Sequence, residues 1–259
     1  MTVNFYKYQG TGNDFVMIDN RTLGLGRDRE LIERLCHRRF GIGADGLIYL
    51  QNREGYDFEM VYFNSDGNES SMCGNGGRCL IRFAHDLGIV SSRCNFWAID
   101  GEHEGEILDN GIVSIKMKDV DFVESRNGDY IMNTGSPHYV QMVNEVKALR
   151  VVAEAQKIRY SEHFTAEGIN VNFVQKLSHN ELFVRTYERG VEDETLSCGT
   201  GVVASAISLS HQSGQLISLV KVETLGGKLQ VSFEPRLNTY RNIFLQGPAE
   251  KVYQGLVDV

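Results

Sequence analysis

The sequence predicts an α/β protein of the α+β type, built from two duplicated halves that each wrap strands around one central helix. Three observations carry this. First, the second half repeats the first at an offset of about 124 positions, in weak matches that keep one order. Second, runs such as "FEMVYF" and "LFVRTY" are rich in β-branched and aromatic residues, as strands are. Third, two stretches, "GGRCLIRFAHDLG" (76–88) and "GVVASAISLSHQSG" (201–214), read as helices apolar around much of their circumference. A helix of that kind is buried rather than laid on a surface.

The repeat is read element by element. "TGNDFVMI" (11–18) aligns with "TGSPHYVQMV" (134–143), and the helical "LIERLCHRR" (31–39) falls near "EVKALRVVAEAQ" (145–156). "GLIYLQ" (46–51) falls on "NFVQK" (172–176), and "DFEMVYFN" (57–64) on "ELFVRTYE" (181–188). "MCGNG" then meets "SCGTG", with Glu69 and Glu194 each four residues before its cysteine. The two helices are expected to stop at Gly88 and Gly214. The tail "AEKVYQGLVDV" alternates like a strand that suits either half. Domains are expected to divide near residue 117, with Cys73 in the first half and Cys198 in the second.

Composition bounds the rest. With 259 residues, 42% hydrophobic and 23% charged, the chain is ordinary for a soluble globular protein with a sizeable core. A net charge of −8 disfavours nucleic acid or an anionic membrane as partner. The one basic cluster, "RDRELIERLCHRR" (27–39), reads as a solvated helix face. No apolar run approaches the ~18 residues of a membrane span, and "MTVNFYKYQG" lacks a signal peptide's apolar stretch. Five cysteines in no disulfide-dense pattern point to free thiols in a reducing cytoplasm.

Among the cysteines, Cys36 is expected in a core face with Leu31, Ile32, Leu35 and Phe40, Cys94 is read as structural, and Cys79 as packing inside its helix. Cys73 and Cys198 differ, because Gly-x-Gly follows each at a predicted helix start. Free backbone N–H groups and the helix dipole there favour negative charge and lower a thiol's pKa. The same feature receives a carboxylate. If the halves face each other in pseudo-two-fold symmetry, the two sulfurs approach a cleft from opposite sides. One thiolate then removes a proton from a substrate carbon and the other thiol returns one to the opposite face, as a racemase or epimerase requires. Zinc is not expected, since the spacing of Cys73 and Cys79 lacks an echoing pair. Nor is a P-loop, since no Gly-Lys-Ser/Thr follows the glycines.

The ordered motifs "YQGTGNDFVMIDN", "RRFGIGADGL", "FNSDGNESSMCGNGGRC", "GSPHYV", "YERG" and "SCGTG" together resemble the diaminopimelate epimerase family, from the N-terminus to at least residue 205. The resemblance implies cofactor-independent epimerisation of LL-diaminopimelate to the meso form, for lysine and peptidoglycan synthesis. It also implies two mixed α/β domains with the active site in the cleft between them, a C-terminal strand returning to the first domain (1–117 plus 247–259, against 118–246), and a homodimer. Carried over, Cys73 and Cys198 match the catalytic pair. Asn13, Asn64 and Asn170 match substrate-binding asparagines, while Gly74–Asn75 and Gly199–Thr200 match the carboxylate cradles. Glu188 and Arg189 match positions near the substrate's amino and carboxylate groups, and His138 with Glu188 matches residues that tune the cysteines. An arginine suits a distant carboxylate because it binds one bidentately. An asparagine offers donors and acceptors to a zwitterion without adding charge.

Two departures stand out. Ser136 occupies a place where many members have asparagine. The stretch from "YERG" to its cysteine is one residue longer than usual, with a bulge expected around Glu192–Asp193. Two other readings compete. A proline-racemase-like enzyme also uses paired cysteines, but there a histidine follows the first Cys-Gly, where this chain has Asn75. A non-catalytic small amino-acid binder would lose nothing on replacement of either cysteine.

Overall fold

In the computed structural model, which describes residues 1–214 and 217–259, the chain divides into two units. One comprises Met1–Ile115 with Gly247–Val259, the other Lys116–Gln246.

The first unit opens with a hairpin of β1 (Thr2–Gly10) and β2 (Asn13–Asp19), in which Gly10 faces Asn13. Its two-residue turn holds Thr11 and Gly12 at φ of 52° and 84°. Paired left-handed residues match the twist of the flanking strands, and the turn delivers Asn13 at the strand's first position. Helix α1 (Arg29–Cys36) crosses over to β3 (Gly46–Gln51), which runs parallel to β2. Strands β4 (Phe58–Asn64) and β5 (Glu69–Ser70) follow as antiparallel neighbours. After the central helix α2 (Gly74–Asp86), β6 (Arg93–Ala98) pairs parallel with β4, and β7 (Gly101–Ile107) and β8 (Val113–Lys116) complete an antiparallel run.

The second unit repeats this pairing scheme. Short β9 (Glu124–Arg126) flanks the hairpin of β10 (Asp129–Asn133) and β11 (Pro137–Met142). Helix α3 (Val151–Arg159) crosses to β12 (Asn170–Lys176), parallel to β11. β13 (Glu181–Glu188) and β14 (Asp193–Thr195) are antiparallel neighbours. After α4 (Gly199–Ser213), β15 (Leu219–Thr224) is parallel to β13, and β16 (Gly227–Arg236) and β17 (Thr239–Gly247) follow antiparallel. Parallel and antiparallel pairings recur in the same order, so both units are mixed sheets of one duplicated α+β design. The last strand, β18 (Glu250–Asp258), pairs antiparallel with β1, the place that β9 takes beside β10.

Both central helices are buried as their apolar circumference predicts. Ten of the thirteen α2 residues and eleven of the fifteen α4 residues are buried. α4 is capped by Gly214 at φ 59°, and Gly88 is left-handed at φ 72° just beyond α2. Glycine permits the close approach of strand to helix: a Cβ on Gly201 would lie 2.3 Å from Asn172 Oδ1. Among the described residues, no helix is long and apolar enough to cross a membrane.

One local expectation is corrected. Phe40 does not join the core face of α1. The helix ends at Cys36, His37 turns extended, and Phe40 is 83% exposed. The reason is local: His37 Nδ1 accepts the backbone N–H groups of Arg39 and Phe40, which stops the helix. The charged residues of the basic cluster 27–39 are exposed, as expected, and Arg38 also bonds Asp14 and Asp45. Cys36, Cys79 and Cys94 are buried, and burial pushes each thiol up to about 12, which makes them inert packing groups.

Candidate active site

Cys73 is the N-cap of α2 and Cys198 the N-cap of α4, both in extended conformation. The first helical hydrogen bonds are Gly77 N–H to Cys73 O, 2.7 Å, and Val202 N–H to Cys198 O, 2.9 Å. The N–H groups of Gly74 and Asn75, and of Gly199 and Thr200, precede those bonds. They occupy the positions where a helix presents donors and partial positive charge to an anion.

In the first unit, the Cys73 thiol lies 3.7 Å from Asn13 Oδ1, which also accepts from Asn75 Nδ2 at 3.3 Å. Asn13 is oriented from the other side, where its Nδ2 donates to Asp45 Oδ2 at 2.7 Å. Asp45 is in turn ion-paired with Arg38 at 2.6 Å, and Arg38 and Lys7 clamp Asp14 at 2.7 Å each. Burial opposes charge on Asp14, but the two cations hold its carboxyl well below the usual carboxylate range. Asn75 itself is 1% exposed. Asn64 ends β4 and is exposed.

In the second unit, a chain of hydrogen bonds ends on Cys198. Asn172 Oδ1 accepts the Thr186 hydroxyl at 2.9 Å, so its Nδ2 faces His138 Nδ1 at 3.0 Å. That leaves the ring proton on Nε2, which donates to Thr200 Oγ1 at 2.9 Å. Thr200 Oγ1 lies 3.4 Å from Cys198 Sγ and has its own proton to offer the sulfur. Burial, with the Arg189 charge, pushes His138 down to about 3, so the ring is neutral at working pH and acts as a donor rather than a cation.

Asn170 uses its side chain within the protein. Its Nδ2 donates to Ser136 Oγ at 2.8 Å and Pro137 O at 2.9 Å, and its Oδ1 accepts the Arg189 N–H at 2.8 Å. Ser136, the departure from the usual asparagine, therefore anchors Asn170. Glu188 ends β13, partly exposed, and exposed Arg189 donates Nη1 to Glu167 O at 2.9 Å. The longer loop bulges at Glu192, left-handed at φ 58°. Glu192 accepts from Tyr187, Tyr160 and Arg159 at 2.9, 3.0 and 3.1 Å.

The structure thus brings Cys73, Asn13 and Asn75 together in one unit, and Cys198, Thr200 and His138 in the other. Asn170 lies beside Arg189 in that second unit. Sequence reasoning missed Asn172, Asp45 and Arg78. "INVNF" carried a signal for the first, since residues two apart in a strand share a face.

A sequence profile of the diaminopimelate epimerase family matches residues 5–123 and 130–252. The chain belongs to that family. It is 50% identical over 253 residues to the diaminopimelate epimerase of Flavobacterium psychrophilum, covering 97% of this chain and 99% of that one. It is 41% identical over 257 residues to the Chlorobaculum tepidum diaminopimelate epimerase, covering 96% and 98%. Among solved structures, a Bacillus anthracis phenazine biosynthesis protein superposes with a TM-score of 0.78 at 15% identity over all of both chains. A probable proline racemase from Agrobacterium radiobacter superposes at 0.66 and 13% identity, covering 99% of this chain and 92% of that one. At such identities, these two speak to the fold alone.

Proposed function

We propose that this chain interconverts LL- and meso-diaminopimelate, with one of Cys73 and Cys198 removing the Cα proton and the other supplying its own. The observation that carries the reading is the doubled one: each unit caps its central helix with a cysteine followed by glycine. Family membership supports the substrate. One thiolate takes the Cα proton and the other thiol delivers a proton to the opposite face. Configuration inverts, nothing is oxidised or reduced, and no cofactor takes part. A Cα proton beside a carboxylate is far less acidic than a thiol, so donors aimed at the developing charge must lower the barrier. We assign that role to the amides of Gly74–Asn75 and Gly199–Thr200.

Asn13, Asn64, Glu188 and Arg189 recognise the amino and carboxylate groups in this reading. Asn170 holds Ser136 and Arg189 in place, while His138 and Glu188 tune the sulfurs. The enzyme works as a cytoplasmic homodimer of two-domain protomers (1–117 plus 247–259, and 118–246), without nucleic-acid or membrane partners.

Incubation in heavy water tests the reading. LL-diaminopimelate should acquire deuterium at Cα and convert to the meso form. Proline turned over in its place, or binding without exchange, would sink the assignment.

A further inference from the structure

The two cysteines are backed by different chemistry. Beneath the start of α2, Gly76 meets Phe15 and Ile48, whereas beneath the start of α4 Gly201 meets His138 and Asn172. The polar pair that serves Cys198 therefore has apolar counterparts under Cys73. What the first unit has in its place is Arg78, one turn into α2, where α4 carries Val203.

Arg78 is 0% exposed. Its Nη1 donates to Gly74 O at 3.1 Å, and its Nη2 to Asn75 Oδ1 at 3.0 Å and Thr11 Oγ1 at 3.4 Å. Among the described residues, no carboxylate makes an ion pair with it, and Nε has no hydrogen-bond partner. The ionisable groups whose charge reaches it are the Cys73 and Cys79 sulfurs. An arginine stays protonated even when buried, and a buried charge without a counter-ion is strongly unfavourable. Val203 shows that the same place in the repeated helix is filled by an apolar side chain, so the fold itself does not call for a cation there.

We propose that Arg78 is a positioning residue and the buried counter-charge of the Cys73 thiolate. It fixes the Asn75 amide, which donates to the same Asn13 oxygen as the Cys73 thiol, and adds its field to that of the helix N-terminus. The proposal rests on reading Cys73 as an acid/base group. Four other ionisable groups lie on the elements around the start of α2. Cys79 on α2 is held protonated by burial. Asp45, behind Asn13, is paired with Arg38, and Glu69 on β5 with Arg27. Asp100, between β6 and β7, accepts the Met72 N–H at 3.2 Å and lies 3.2 Å from His103 Nε2.

Alkylation by iodoacetamide across pH, with peptide mapping to read Cys73 and Cys198 separately, tests the proposal on the intact, ligand-free protein. In the native protein, the Cys73 midpoint should lie below that of an unperturbed thiol, about 8.5. Arg78→Gln should raise it by about one pH unit or more, the effect of losing a nearby opposite charge. Arg78→Lys should recover most of the shift, with the Cys198 midpoint unmoved throughout. A native Cys73 midpoint at or above 8.5 overturns the proposal even if the glutamine variant fails to fold. An unmoved Cys73 midpoint, or both midpoints moving together, overturns it as well. Turnover plays no part in this readout, so failure of the epimerase reading in heavy water is a separate result.

Discussion

His138 joins the site to stability through its proton. Burial lowers its pKa from the ordinary 6.5 to about 3. The unfolded chain then binds a proton over that window while the folded chain does not. Stability from this group is fully present above 6.5 and is lost as the pH falls toward 3, at about 1.4 kcal/mol per pH unit. Urea denaturation at pH 7 and pH 5 should show a loss of about 2 kcal/mol that His138→Gln removes. Thr200, between the ring and Cys198, makes a sharper probe of chemistry. Thr200→Val should cut turnover by about 100-fold, in line with the loss of one directed hydroxyl donor, and Thr200→Ser should restore it. Steady-state kinetics at saturating substrate check this.

The placement of the two cysteines at the starts of buried helices was legible in the sequence, because Cys-Gly-x-Gly stands before both apolar helical runs. Arg78 was not, because its partners Thr11 and Asn75 come together only through the hairpin turn. Beside Cys79 and Leu80, it reads as a charged residue on an apolar helix, and only the structure shows that water does not reach it.

Helices and strands obeyed their patterns where burial decided them and departed where a local side chain intervened. The stops at Gly88 and Gly214 and the strands on either side of α2 follow from glycine and periodicity alone. The end of α1 did not, since the imidazole of His37 captured two backbone donors that a longer helix would have used. The long loop after β13 is held by Glu192 in a conformation that side chains rarely adopt. Glu192→Ala keeps the strained backbone and loses four hydrogen-bonded partners, so a destabilisation of about 1–3 kcal/mol is expected in urea melts. Gly201→Ala is a harsher test of helix against sheet. Its Cβ would sit 2.3 Å from Asn172 Oδ1 and must displace the group that orients His138. Activity should fall much further than stability, with the melting temperature and the rate constant measured on the same sample.

The whole molecule is a duplication that conserves pairing order while its chemistry diverges. The repeat was visible in the sequence because strand-like runs and the cysteine motifs kept their order. The partner of the tail came from the family resemblance and not from the pattern, because β18 is largely exposed, with Val252, Tyr253 and Leu256 all open to solvent. Burial alternation therefore supplied no register. Only the ladder to β1, from Thr2 opposite Asp258 to Gln9 opposite Glu250, fixes its place. Removing residues 250–259 should leave β1 with a bare edge and send the protein into aggregates, which light scattering would detect. A soluble, fully active truncation would contradict this.

That ladder also sets a timetable. During synthesis the first unit starts to emerge before the second, yet its strand β18 is made after the whole of the second. The second unit, continuous from Lys116 to Gln246, has all its strands available before β18 leaves the ribosome. The unit whose strands emerge first is therefore completed only after the other, and until then β1 waits with one edge open.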